Sequence, residues 1–128
     1  MKQIERFHGH LGPYAVIGYK MGEIAKQILG SDSFSKKVIV WTGTKPPISC
    51  IIDGIQISSG CTLGKGNISV NFDGIPKARF SNNDGKHVEI VLKTGIQEEI
   101  DTTVTEENII HYSEQIYQRP NQELFDIA

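Results

Sequence analysis

Apolar positions along the chain repeat first at helical and then at strand spacing. After Pro13, Ile17, Met21, Ile24 and Ile28 form one stripe, predicting a helix over 14–29 with Pro13 at its first position and Gly30 ending it. Gly18 and Gly22 lie one turn apart on an adjacent face, where a closely packed neighbour would explain them. Lys37–Thr42, KVIVWT, is β-branched and apolar, as in a strand buried on both faces. Ile48, Ile51, Ile52 and Ile55 then fall at i, i+3, i+4 and i+7, predicting a helix from about 49 to 58 whose isoleucine stripe is core. Strand-like runs follow at 68–72, 77–80 and 87–93, punctuated by Asp73-Gly74 and Asn82–Gly85, which reads as an antiparallel meander. A last helix is predicted over 106–118, capped by Thr105, favoured by Glu106 and Glu107 at its start and stopped by Pro120. Residues 1–6 read as a lead-in, 7–13 as a loop or short extended piece, 94–103 as ambiguous, and 119–128 as a docked arm or disordered tail. The order helix, strand, helix, meander, helix predicts a single α+β domain, 1–128, with helices packed on a mainly antiparallel sheet.

Composition changes this picture little. The chain has 128 residues, 22% of them charged, as suits one globular core. Charge is uneven: twelve of the thirteen Lys and Arg precede residue 97, and eight of the fifteen Asp and Glu follow it. No dense basic run with interleaved aromatics points to nucleic acid. No apolar run reaches membrane-span length and residues 1–30 lack a signal-peptide pattern. The two cysteines, Cys50 and Cys61, lie roughly 16 Å apart if the helix is unbroken, too far for a disulfide. A reducing, cytoplasmic location is the simple expectation.

Chemistry concentrates in two stretches. In His8-Gly9-His10 an extended backbone would point both imidazoles to one side, supplying two metal ligands; the alternative is a polar loop with a capping histidine. In the second stretch, Ile48–Asn67, the helix face away from the isoleucines carries Cys50, Asp53, Gly54 and Ile57. With Ser49 as N-cap, Cys50 sits in the first turn, where the dipole favours thiolate; the alternative is a small buried apolar residue. Gln56 and the glycine turn 60–66, with Lys65, offer a grip on an anionic ligand. That turn is not a P-loop: three residues separate Gly60 and Gly64, Gly66 follows Lys65, and a helix precedes it.

FHGHLGPY, a following GYKMG helix, and C-x-x-DGIQ-x-x-x-GCT-x-GKGN together resemble the FmdE family of formylmethanofuran dehydrogenase proteins over residues 7–94. Many relatives have cysteine after HGHL, where this chain has Gly12, and relatives often continue into a cysteine-rich zinc module. The resemblance implies an α+β homodimer with the histidine loop and the cysteine helix forming a cleft. It also implies a molybdenum or tungsten enzyme as partner, without this chain being its catalytic component. Two functions follow. One is an accessory or binding protein holding a divalent metal, zinc by preference, through His8, His10 and Cys50, completed by Cys61 or Asp53. The other is a small enzyme with Cys50 as nucleophile, His8 or His10 as base and Asp53 beside them. A two-fold bringing Cys61 to the partner's cleft would place both thiols in one site, with Gly54, Gly18 and Gly22 allowing close approach.

Overall fold

The computed structural model describes all residues, 1–128. In chain order the elements are α1 (Lys2–His8), α2 (Pro13–Leu29), β1 (Lys36–Val40), α3 (Cys50–Ser59), β2 (Ile68–Val70) and β3 (Lys77–Asn82). They continue with β4 (His87–Leu92), α4 (Thr94–Thr103), α5 (Ile109–Gln118), α6 (Asn121–Leu124) and β5 (Phe125–Ile127). The five strands form one sheet in the order β2-β1-β3-β4-β5. All neighbours are antiparallel except β1 and β2, which run parallel. The class is α+β, as the apolar pattern predicts.

The sheet buries one face only. Val38, Phe80 and Val88 are aligned across it, as are Val40, Ala78 and Ile90, and all six are buried. β1 therefore alternates, with Lys37 and Ile39 on the open face, rather than being buried on both. Lys36 takes an inward position because its amine donates to the carbonyls of Gly30 and Asp32, both at 2.8 Å.

Helix α2 runs through the middle, touching α1, α3, α5, β3 and β4. Its closest partner is α3. A Cβ placed on Gly18 would stand 1.9 Å from the Ile51 carbonyl oxygen, and one on Gly54 would stand 2.0 Å from that of Ala15. The two backbones thus meet through glycine, and Gly22 meets Ser58 in the same seam. These glycines are used inside the chain, not between two copies. The buried stripe of α3 is consequently Ile51, Gly54, Ile55, Ser58 and Ser59, rotated from the isoleucine stripe, and Ile48 and Ile52 are only half-buried. The helix is continuous through Gly54.

Three other expectations change. Residues 2–8 form a helix with Ile4 buried, so only Gly9–Gly12 is loop. β2 does not join a meander. It follows β1 through the α3 crossover and lies at the far side of β1, leaving β3 and β4 as the hairpin. The segment 94–103 is helical, and the C-terminal residues dock as α6 and β5, with Leu124 and Phe125 in the core.

Candidate functional site

The N-terminal ends of α2 and α3 open on a cavity of about 240 Å³. α1 ends beside it because Gly9, at φ 98°, turns the chain in the left-handed region and its N–H bonds back to the Glu5 carbonyl. That turn, not an extended backbone, brings His8 and His10 together, their ring centroids 4.8 Å apart. The His8 side chain is about nine-tenths buried, and its Nδ1 lies 2.5 Å from Asp53 Oδ2. His10 is exposed.

Cys50 lines the same cavity from the first position of α3. Ser49 precedes it in a helical conformation and gives no side-chain cap; the Cys50 N–H bonds instead to the Pro47 carbonyl at 3.0 Å. Burial, followed by the Asp53 carboxylate, pushes the Cys50 thiol above its ordinary range. The thiolate expected from the helix dipole is therefore opposed by desolvation and by like charge.

Pro13 and Tyr14 from α2, Ile100 and Asp101 from α4, Val104 and Ile109 complete much of the wall. Tyr14 donates its hydroxyl to Asp101 Oδ1 at 2.6 Å. Burial, reinforced by this bond to a carboxylate, raises the Tyr14 phenol well above its usual range. Tyr14 stands in the FHGHLGPY block beside the histidines, whereas nothing in the ambiguous 94–103 segment marks Asp101.

The remaining sequence candidates lie elsewhere. Cys61 is fully buried beyond the far end of α3, its N–H bonded to Ser59 Oγ, and burial raises its thiol as well. Gln56 accepts from the Leu63 N–H and so braces the glycine turn. Lys65 sits over the Phe34 ring, 5.4 Å from its centroid, and does not line the cavity. As the side chains stand, no three His, Cys, Asp or Glu converge into a ready-made metal set. His8, His10 and Cys50 share the cavity; Asp53 reaches it through His8; Cys61, Gln56 and Lys65 do not.

Comparison with known proteins bears on both fold and family. A solved FmdE-like protein of tungsten formylmethanofuran dehydrogenase, from Syntrophus aciditrophicus, matches with a TM-score of 0.68 at 18% identity, covering 99% of this chain and 67% of that one. This likeness establishes the fold. A probable S-adenosyl-L-methionine-binding protein of Archaeoglobus fulgidus is 30% identical over 69 residues, 50% of this chain and 18% of that protein. The bifunctional protein GlmU of Bifidobacterium longum subsp. infantis is 33% identical over 81 residues, 62% of this chain and 17% of that protein. The chain thus spans less than a fifth of the length of these curated relatives. The family model described as "FmdE, Molybdenum formylmethanofuran dehydrogenase operon" matches residues 7–126, nearly the whole fold and every residue of the cavity wall, and the chain belongs to the FmdE family.

Proposed function

We propose that this chain is an accessory binding domain linked to the formylmethanofuran dehydrogenase system, and that its cavity binds a divalent metal, zinc by preference, through His8, His10 and Cys50. The family description supplies the link to that system, with its molybdenum or tungsten enzyme as a partner. The observation that carries the metal reading is local: two imidazoles and a thiol line one cavity, and Asp53 engages His8 Nδ1. A carboxylate on one ring nitrogen fixes the tautomer and leaves Nε2 as the donor, the usual outer-shell arrangement of histidine ligands. Imidazole nitrogen and thiolate sulfur suit zinc. Coordination requires the exposed His10 ring to turn, since the three donors do not yet converge. Three donors are one short of zinc's usual four, so a small ligand or water from the cavity would fill the last position.

The raised Cys50 thiol favours this reading over a free nucleophile. An isolated thiol in this setting stays protonated at neutral pH, while a bound cation would deprotonate it. Elemental analysis of freshly purified protein provides the test. One metal per chain is expected, with loss in Cys50→Ser and His8→Ala. Metal-free protein that also fails to take up added zinc overturns the proposal, and a hyper-reactive Cys50 in that protein would support the thiol enzyme. A homodimer belongs to the same proposal, and sedimentation is expected to give twice the 14.2 kDa chain mass.

A further inference from the structure

We infer that α4 is a movable wall of this cavity and that the Tyr14–Asp101 hydrogen bond is its latch, controlling access to His8, His10 and Cys50. The lightness of its anchoring is the first observation. Of ten residues in α4 only Ile96 and Ile100 are buried. Its flanking residues, Lys93 and Val104, are both extended, with ψ of 139° and 131°, so the helix hangs between two non-helical joints. A segment with few buried apolar groups opens at low free energy while the core stays closed.

Position is the second observation. Ile100, Asp101 and Val104 supply part of the cavity lining, so displacing α4 would open the space in front of Cys50. The third is the nature of the ties. Glu99 accepts from the Tyr112 hydroxyl and pairs with Arg119 at 2.8 Å, tying α4 to α5 and to the residue after it. Asp101 is bound by Tyr14, which is 4% exposed and stands in the first turn of the buried helix α2. The latch therefore joins the exposed surface of α4 to the most rigid part of the fold, within the cavity wall itself. Breaking it exchanges a bond between two protein groups for bonds to water, a small free-energy change suited to a reversible closure.

The latch rests on the cavity being the binding site only for its purpose. Access is read by thiol modification in chelator-treated protein, and metal binding by metal content, so either can fail while the other stands. The full chain is treated with a bulky aromatic disulfide reagent at fixed pH. Tyr14→Phe is expected to speed Cys50 modification about five- to tenfold, as loss of one hydrogen bond implies. Amide exchange should rise over 94–103 while α2 amides and Cys61 stay protected. Asp101→Ala should behave like Tyr14→Phe. Asp101→Asn keeps an oxygen to accept from Tyr14 and should remain within about twofold of the parent rate. An unchanged Cys50 rate in both Tyr14→Phe and Asp101→Ala overturns the latch. So does a parallel rise at Cys61 and in α2, which would mean general loosening.

Discussion

His8 and Cys50 reach the cavity from separate elements, and Asp53 touches the chemistry of both. It accepts from or pairs with His8 Nδ1, and its negative charge adds to burial in raising the Cys50 thiol. Metal-free protein should therefore show Cys50 alkylation that is slow at neutral pH and still rising where an ordinary thiol, with a pKa of about 8.5, levels off. The sign follows from the thiolate being the reactive form: raising the pKa lowers its share at any given pH. Asp53→Asn removes one cause and should shift the alkylation profile to lower pH, leaving burial as the remaining cause. Cys61, fully buried, should react after Cys50 throughout. Sequence spacing makes the pairing of His8, His10 and Cys50 legible, because few residue types carry this chemistry and both stretches stand out. It leaves Tyr14–Asp101 hidden, because that contact joins residues 87 apart and Asp101 lies on a segment of weak pattern.

The packing of α2 on α3 is the decisive contact between elements. Glycine weakens a helix by roughly 1 kcal/mol against alanine, yet here the backbones approach so closely that a methyl group has no room. Gly54→Ala would place its Cβ 2.0 Å from the Ala15 carbonyl oxygen and 2.4 Å from the Tyr19 nitrogen, backbone atoms that cannot swing aside. We expect a loss of about 1–3 kcal/mol or more in denaturant melts despite the better helix propensity. The same geometry settles the isoleucines. Ile55→Ala, at a fully buried site, should cost about 2–5 kcal/mol, and Ile52→Ala, half-buried, distinctly less. Equal losses at the two positions would mean that the stripe faces as simple isoleucine periodicity predicts. Periodicity makes α2 and α3 legible as helices. It misplaces the buried face of α3 because glycine and serine, which carry no hydrophobic signal, form the seam.

At the scale of the molecule, the sheet is assembled from pairings that local patterns do not encode. Asp73-Gly74 resembles a hairpin turn, but β2 has already paired parallel to β1 across the α3 crossover, and β3 takes the other side of β1. The C-terminus is the other non-local piece. β5 closes the far edge against β4, with Glu89 and Ala128 exchanging both backbone hydrogen bonds, at 3.0 and 2.9 Å. Leu124 and Phe125 bring two large apolar side chains into the core, and the Leu124 carbonyl accepts the Lys93 N–H at the joint before α4. Truncating either side chain to alanine should cost about 2–5 kcal/mol. A domain of this size holds only about 5–15 kcal/mol in total, so removing residues 120–128 outright should abolish cooperative folding or lower the melting temperature steeply. The substitutions separate packing from edge closure: Phe125→Ala keeps the ladder and removes the side chain, while Asp126→Pro keeps Phe125 and disturbs the ladder. If these residues were a passive tail, neither change would move the melt. If they close the sheet and brace the joint, Phe125→Ala should also raise amide exchange across α4, the element connected to this arm through Lys93.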